Sequence, residues 1–546
     1  MSLCNKQKLL LPFIFFLCLI SVPNIGQQAG IISPYNQAVY AGVCLFILYI
    51  FSVMLVKSKI VYSLISLVLF SIGFLLLLVG SINGSWWNLG YTLHAIVIGA
   101  LFVLSLQQLN MDENDWFRFY YLLCLLAFVQ ILIGLVQYLD KFGVLYFWTG
   151  YFPFKFSGDF IGSLQQKNMY ASFLAFGVVV SFWIAYSHFF SKLHFVAKIP
   201  VWAVIIVGSF IILISGSRVA LIGWVVGCIL VGYVIREKLF NTKNANSAVF
   251  LVAFTSIVIG SYVLEENSSS ALEKFDRIIE GQDVRLLLYY ASWELFLSNL
   301  WFGVGVGNFE TAFKAFISSN LYFSQGELGR HLQVFTHPHN EPLYWLIQIG
   351  LVGFLPVLIC CILLVVNWWR QGLDKFLLYI GLSFPLLMQT MVSYPLILSS
   401  VHYFLLLAFI VFSVKVPGLC VCVNFHKIVI SILLSCALLG ALWVLYILYV
   451  GLMSAFETYY FKHRIFLYEV YPEQEKKGYF KNASNLTLYD ELVHNNMENL
   501  YLNAIKSNNI YDLKQYLLWY DAVAECKSVP QKYTDYAEFS RKHLGL

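Results

Sequence analysis

The chain has 546 residues, of which 60% are hydrophobic and only 12% are charged, and its mean hydropathy is +0.74. This balance excludes an ordinary water-soluble globular protein and indicates a chain that folds within a lipid bilayer. The formal net charge of +5 is spread over short loops without a dense basic tract, so nucleic-acid binding has little support.

Apolar runs long enough to cross about 30 Å of hydrocarbon as a helix recur along the chain. There are about thirteen by this length criterion, at 9–25, 37–56, 60–82, 89–106, 117–139, 168–190, 199–215, 218–235, 248–264, 341–366, 375–393, 396–414 and 428–450. No small-residue cleavage site follows the first run, so we expect a retained helix and not a signal peptide. The sequence therefore predicts an all-α, polytopic integral membrane protein.

Lysine and arginine residues fall on alternate short loops between these runs. They are Lys6 and Lys8, Lys57 and Lys59, Arg118, Lys192 and Lys198, Arg236, Lys238 and Lys243, Arg370 and Lys375, and Lys415 and Lys427. Because short cytoplasmic loops are enriched in basic residues, this side and the amino terminus are predicted to be cytoplasmic.

The order of the runs predicts four parts. Residues 1–264 form an amino-terminal bundle with about nine spans, and residues 341–450 form about four more. Between them, residues 265–340 form a large periplasmic loop with amphipathic helices. Residues 451–546, with aromatic and leucine positions at intervals of three and four, predict a soluble helical tail on the periplasmic side.

Polar residues are scarce within the runs and gather at their outer ends. Since intramembrane ionisable residues usually mark pumps and coupled transporters, their scarcity argues against a transporter. Arg218, in "SGSRVA", is the only basic residue in a short outer loop. It is either a snorkelling side chain or a partner for an anion. Gln166 and Asn168, in "QKN", and Tyr394, in "SYPL", lie at the same face.

Arg285 opens an apolar helical segment that runs into "WFGVGVGNF". Those glycines superficially resemble a nucleotide loop, but the strand, helix and cytosolic setting that such a loop requires are lacking. A tight turn is the better interpretation.

The stretch "THPHNEPLYWLIQIGLVGF" places His339 and Asn340 at the amino end of a predicted span, with Pro342 suited to the first helical turn. Unpaired N–H groups at such an end favour an anion. A histidine with a pKa near neutrality can take a proton from a hydroxyl, and nearby arginines can hold a diphosphate. The alternative is a pair of interfacial histidines without chemistry.

Ten residues separate His339 from Gly350, and "LVGF" follows the glycine. This motif, with the loop before it, "SGSRVA" and the glutamine–x–asparagine element in the same order, resembles the bacterial O-antigen ligase, polymerase and O-oligosaccharyltransferase superfamily over roughly residues 160–415. The carboxyl-terminal extension and the "YPL" turn are most similar to pilin-type protein O-glycosylation ligases. Ser393 departs from that group, which often has an acidic residue there.

The resemblance implies en bloc transfer of a preassembled glycan from undecaprenyl diphosphate to a serine or threonine hydroxyl of a pilin-like or other periplasmic protein. It implies an enzyme of the bacterial inner membrane whose partners are the lipid-linked glycan, the acceptor protein and membrane lipids, with no cofactor or metal. His339 is the expected base or acceptor-orienting group. The residues expected to contact substrates are Arg218, Arg285, Gln166, Asn168, Tyr394, His337 and Asn340.

Two alternatives remain open at this point. A lipid A-core ligase or a glycan repeat-unit polymerase of the same superfamily differs only in its acceptor. A lipid-linked oligosaccharide flippase or other transporter belongs to a different class, and it predicts functional polar residues within the spans.

Overall fold

A computed structural model of the chain describes residues 34–57, 59–82, 86–109, 113–140, 160–164, 166–239, 284–324, 332, 335–414, 419–422, 428–446, 449, 501–502, 504–505, 509–510, 513–514, 516–518, 520–521 and 531–544. The chain forms two compact units, Met1–Tyr449 and Val450–Leu546.

The described elements are helices apart from one pair of short strands. The helices are α1 Pro34–Lys57, α2 Leu64–Ile82, α3 Trp86–Gln107, α4 Glu113–Asp140, α5 Lys167–Ala185, α6 His188–Ser191, α7 Phe195–Ala203, α8 Ser209–Ile214, α9 Arg218–Val234, α10 Arg236–Leu239, α11 Val284–Ser298, α12 Phe309–Ser319, α13 Leu321–Ser324, α14 Glu341–Arg370, α15 Leu373–Thr390, α16 Pro395–Leu398, α17 Ser400–Ser413, α18 Ile428–Tyr446 and α19 Gln531–Leu544. A 3₁₀ turn covers Gly162–Leu164, and a π-helical turn, Val204–Gly208, joins α7 to α8.

The prediction of an all-α, polytopic membrane protein is confirmed. Within the described residues, six helices are long and apolar enough to cross a membrane, and four shorter apolar helices accompany them. The predicted spans 9–25 and 248–264 lie outside the described residues. Each of the other predicted spans overlaps one or more helices.

One predicted span begins later than its apolar run. Residues 60–62 belong to strand β1, Lys59–Tyr62, which pairs antiparallel with strand β2, Leu419–Cys422. The helix itself starts at Leu64. Isoleucine, valine and tyrosine suit a strand as well as a helix, so hydropathy alone does not separate the two. The pairing also shows that the loops after α1 and after α17 lie on the same side of the bundle.

Helix α14 is broken in its first third. Gly350 has φ 63° and ψ −173°, so residues 341–349 and 351–370 are two helices joined at one glycine. The apolar run 341–366 therefore does not form one continuous span, contrary to the prediction. Only glycine adopts this conformation readily, which accounts for its place in the motif.

The glycine-rich loop "WFGVGVGNF" packs its backbone against this break. Leu351 N donates to Leu300 O at 2.9 Å and Val352 N to Trp301 O at 3.1 Å. In the other direction, Val304 N donates to Ile347 O and Gly305 N to Gln348 O, both at 2.9 Å. A helix break leaves backbone N–H and C=O groups without partners in the helix, and the loop supplies the missing partners. The loop is thus not a simple turn, because its backbone hydrogen-bonds to both helices and bridges the break. We call this arrangement the splint.

Helices α5, α9 and α15 pack closely through glycines. A Cβ atom on Gly223 of α9 would lie 2.9 Å from Pro385 Cα of α15, and one on Gly227 would lie 2.9 Å from Gly381 O. As α9 advances by four residues, α15 goes back by four, so these two helices are antiparallel. Gly227 also faces Val179 of α5, and Gly232 faces Phe182, so α5 runs parallel to α9.

The described part of the second unit is helical around a tyrosine-rich core. Tyr501, Leu513, Tyr516 and Ala537 are buried in it, and the Tyr501 and Tyr536 rings stack with centroids 4.2 Å apart. A soluble helical tail on the periplasmic side remains a prediction.

Candidate functional site

The site begins at the amino end of α14, where His339 precedes the helix. Asn340 is the N-cap residue, and its Oδ1 accepts from Leu343 N at 2.9 Å. His339 has φ 52°, a left-handed conformation that costs a non-glycine residue of order 1–3 kcal/mol. Tyr289 of α11 donates its hydroxyl hydrogen to His339 O at 3.2 Å and helps to hold this turn.

The two histidines of the motif form a hydrogen-bonded chain with Thr336. Thr336 Oγ1 lies 3.1 Å from His337 Nδ1, and His337 Nε2 lies 3.2 Å from His339 Nδ1. In one of the two directions that this chain permits, His339 Nδ1–H donates to His337, and His337 Nδ1–H donates to Thr336. That direction leaves a lone pair on His339 Nε2, which is what a general base requires.

Arg285 acts on the same histidine. Burial lowers the pKa of His339 from its ordinary value, and the positive charge of Arg285 lowers it further. Burial, followed by the charge of His339, lowers the pKa of His337 to about 3. Both rings are therefore neutral at pH 7. Arg285 belongs to the first turn of α11. The structure thus brings together Arg285, His337 and His339, which the sequence analysis had singled out separately.

Tyr394 completes this cluster from the turn between α15 and α16. Its ring centroid lies 3.8 Å from that of His337. Burial raises the pKa of Tyr394 to about 12, so the phenol keeps its proton at pH 7 and can serve as a hydrogen-bond donor.

Two buried polar residues hold the Tyr394 turn in place. Glu341 is 2% exposed, and its Oε2 accepts from Leu396 N at 3.1 Å. From α1, Asn36 Nδ2 donates to Leu398 O at 2.7 Å, and Asn36 Oδ1 accepts from Ser400 N at 2.8 Å. The sequence analysis missed Asn36 and left Glu341 without a role. An isolated polar residue beside an apolar run was the available signal.

Arg218 lies at the same end of the bundle by the register of α9 against α15. Extending the antiparallel pairing of Gly223 with Pro385 places Arg218, the first residue of α9, level with Thr390. The next residue along, Met391, accepts from Asn340 Nδ2 through its carbonyl at 3.2 Å. Arg218 is partly exposed there. We call this end of the bundle, where Arg218 and Asn340 lie, the site end.

Gln166 and Asn168 also lie at the site end, because α5 runs parallel to α9. Both are exposed at the start of α5, and Gln166 is its N-cap residue. The preceding 3₁₀ turn is held by α4, where Gln137 Oε1 accepts from Gly162 N at 2.8 Å and Gln130 Nε2 donates to Ser163 Oγ at 2.8 Å. Two buried glutamines thus fix the position of this element.

The expectation that the α14 amino end binds an anion through its own N–H groups is not supported by the geometry. Asn340 Oδ1 already accepts from Leu343 N, and Pro342 has no N–H group. Glu341 adds a carboxyl group to the first turn. Since both amide atoms of Asn340 bond within the protein, this residue caps the helix and anchors it to Met391. Positive charge for an anion is available at this end from the side chains of Arg218 and Arg285.

His402 is a buried histidine that the sequence analysis missed. Its Nδ1 lies 2.8 Å from Ser399 Oγ, and its Nε2 lies 3.2 Å from Ser172 Oγ. It therefore links α5, which carries the glutamine–x–asparagine element, to the start of α17. Since both ring nitrogens have serine partners, its geometry fits a link between helices.

The opposite end of the bundle gathers basic residues of the loops. Arg236 Nη1 lies 3.5 Å from Asp374 Oδ1 at the start of α15. Lys238 Nζ donates to Tyr186 O, just after α5, at 3.2 Å. The site end and these basic loops are therefore at opposite ends of the same helices.

Fold and site together define a polytopic α-helical membrane protein with a histidine–arginine cluster at one end of its bundle. Among the described residues, no three His, Cys, Asp or Glu side chains are placed to hold a metal ion.

Residues 202–358 match the family model described as O-antigen ligase. This match supports the resemblance to the O-antigen ligase superfamily that the sequence motif indicated. The matched range contains Arg218, Arg285, His337 and His339, while Gln166, Asn168 and Tyr394 lie outside it. A comparison with curated proteins finds no significant match.

Proposed function

We propose that the chain is a protein O-oligosaccharyltransferase. It transfers a preassembled glycan en bloc from undecaprenyl diphosphate to a serine or threonine of a pilin-like or other periplasmic protein. One observation carries the proposal. His339 is hydrogen-bonded to His337 and lies close enough to Arg285 for its positive charge to lower the pKa of His339, within a range that matches the O-antigen ligase family model.

The chemistry needs one base and positively charged side chains that bind the diphosphate, which we call the clamp. His339 Nε2 takes the proton of the acceptor hydroxyl. At the same time the oxygen of that hydroxyl forms a bond to the anomeric carbon of the first sugar. The bond from that carbon to the phosphate oxygen breaks, and the polyprenyl diphosphate leaves with the electron pair. Diphosphate is a weakly basic leaving group, so neutralisation by Arg218 and Arg285 matters more than its protonation.

Neighbouring residues position these two parts. In the direction that the mechanism needs, His337 Nε2 accepts from His339 Nδ1–H and so sets the tautomer of His339, as the partner of a catalytic histidine does in other enzymes. The Tyr394 ring packs against His337 at a tilted angle, and its phenol is protonated. Gln166 and Asn168, exposed at the same end, are the proposed contacts to the glycan or the acceptor.

The proposed location is the bacterial inner membrane, with the site facing the periplasm and the amino terminus in the cytoplasm. The grouping of Arg236 and Lys238 at the end opposite the site supports this orientation, because basic loops face the cytoplasm. A periplasmic tail that takes part in acceptor recognition is part of the same proposal. A reporter fused after residue 546 tests the side of the tail.

A second candidate is ligation to lipid A-core, which the description of the matched family favours. Transfer assays with purified protein in nanodiscs separate the two. The donor is a synthetic polyprenyl-diphosphate glycan, and the acceptors are a serine-containing pilin peptide and lipid A-core. Glycopeptide in the mass spectrum supports the proposal, whereas product on lipid A-core alone supports the second candidate. No product on either acceptor contradicts transferase function and favours a transporter.

His339→Asn is the variant of choice in this assay. Asparagine tolerates the left-handed conformation of residue 339 better than alanine does, so the backbone is kept while the base is lost. We expect a loss of about 10²- to 10⁴-fold in kcat. His188→Asn, in the exposed turn after α5, is the matched control and should transfer normally. Unchanged transfer by the His339 variant would rule out this residue as the base.

A further inference from the structure

Helix α11 carries apolar and aromatic side chains on its exposed face. Leu286, Tyr290, Trp293 and Leu297 are spaced by four, three and four residues, and each is between 46% and 53% exposed. This spacing places all four on one face, which we call the outer stripe of α11. The stripe is about 16 Å long at the rise of an α-helix.

The opposite face of α11 is the one that packs in the protein. Leu288, Ala291 and Leu295 are buried in a core with Ile347 of α14 and Phe313 of α12. The helix is therefore apolar on both faces. A helix that is apolar on both faces is either surrounded by protein or placed against lipid, since exposure of the outer apolar face to water is unfavourable.

The outer stripe continues into the exposed apolar face of a candidate membrane span. Beyond its end, Trp301 and Phe302 are exposed, and Trp301 O accepts from Val352 N. That bond places Trp301 beside the second helix of α14, where Leu355 and Leu358 are exposed on an apolar candidate span. The exposed apolar surface is thus continuous from α11 to the exposed face of that candidate span.

We infer that α11 lies in the membrane interface at the site end of the bundle, with its outer stripe inserted into that leaflet. The occupant is the phospholipid bilayer itself. Tyrosine and tryptophan in the stripe are the side chains that prefer the boundary between headgroups and acyl chains. A helix held in this plane buries the apolar face that it turns to the lipid just below the headgroups.

This placement sets the depth of Arg285. The arginine lies in the first turn of the same helix, so the stripe holds it at the level of lipid phosphates. On the proposed function, a lipid-linked diphosphate then reaches Arg285 by lateral diffusion in the leaflet. The insertion of the stripe itself does not depend on that function.

The test uses an environment-sensitive fluorescent amino acid, introduced at Trp293 in the full chain in nanodiscs. The nanodiscs contain phospholipids brominated on their acyl chains near the headgroup, which quench fluorophores at that depth. Glu294, partly buried on the flank of the same helix, is the matched control position. We expect bromolipid to quench the Trp293 probe several-fold more strongly than the Glu294 probe, and aqueous iodide to show the reverse order.

Two outcomes overturn the inference. One is a Trp293 probe that iodide quenches and bromolipid does not, and the other is equal bromolipid quenching at both positions. Circular dichroism melting of each labelled protein shows that it is folded, and labelling at Tyr290 and Leu297 repeats the measurement along the stripe. Neither donor nor acceptor is present, so failure of the proposed transferase function leaves this result unaffected.

Discussion

The two helices that Gly350 separates within α14 are both apolar, yet they meet different surroundings. Residues 341–349 pack against α11 and the Tyr394 turn and carry the histidine site at their start. Residues 351–370 expose Leu355, Leu358 and Ile362 on one face. Hydropathy describes the two alike, so the difference arises from the break and from the loop that fills it.

The largest expected effect comes from closing the break. Gly350→Ala puts a Cβ within 2.5 Å of the Trp301 and Phe302 backbone, at a positive φ that alanine disfavours. We expect destabilisation of about 3 kcal/mol or more, together with loss of transfer. Thermal unfolding in nanodiscs measures it.

Gly372→Ala is the matched control for that substitution. Gly372 also has a positive φ, of 101°, but a Cβ there meets nothing within 4 Å. It should therefore cost only the backbone strain, about 1–3 kcal/mol, and retain transfer. Equal destabilisation by both variants would show that the loop contact at Gly350 is unimportant.

A second pair of variants compares the packing of the two helices. Ile347→Ala removes a fully buried side chain of the first helix, with an expected cost of about 2–4 kcal/mol. Leu358→Ala changes an exposed side chain of the second helix and should change the stability by less than about 0.5 kcal/mol. Urea or thermal unfolding that ranks the pair the other way would contradict the assignment of the two surroundings.

The smallest expected effect is a shift in pH dependence. Arg285→Gln removes a positive charge that lowers the pKa of His339, so that pKa should rise. On the proposed function the neutral ring is the active base, so transfer should fall as pH drops through its pKa. The acidic limb of the kcat profile should therefore move to higher pH, in addition to a loss in rate from the missing clamp.

Lys314→Gln is the control for this pH measurement. Lys314 pairs with Glu310 on α12 and carries the same charge in the same loop region. Its profile should match that of the unmodified protein. An acidic limb that stays in place in the Arg285 variant would show that His339 does not titrate under the influence of Arg285.

The sequence predicted the helices well because apolar runs of spanning length have few other structures open to them. It also selected His339, Arg285 and Tyr394, and the structure brings these residues together. Their roles remain predictions. The spacing of ten residues from His339 to Gly350 now has a structural meaning, since it is the length of the first helix of α14 with its cap.

Other features depend on long-range contacts that no local pattern reveals. The break at Gly350 is stabilised by a loop some fifty residues earlier, and β1 pairs with a strand more than three hundred residues away. Asn36 and His402 are single polar residues whose partners lie on other helices. The N–H groups at the start of α14 looked available only because the sequence does not show which of them the Asn340 side chain occupies.

A glycine within a membrane helix is commonly a place where the helix can flex, and the splint at Gly350 has the opposite consequence. Bending there requires the loss of four backbone hydrogen bonds, each of which is worth about 0.5–1.5 kcal/mol. Those bonds join the segment after α11 to both helices of α14. Arg285 and His339 thus lie on connected elements, and on the proposed function this connection sets the distance between the diphosphate-binding arginine and the base before any substrate arrives.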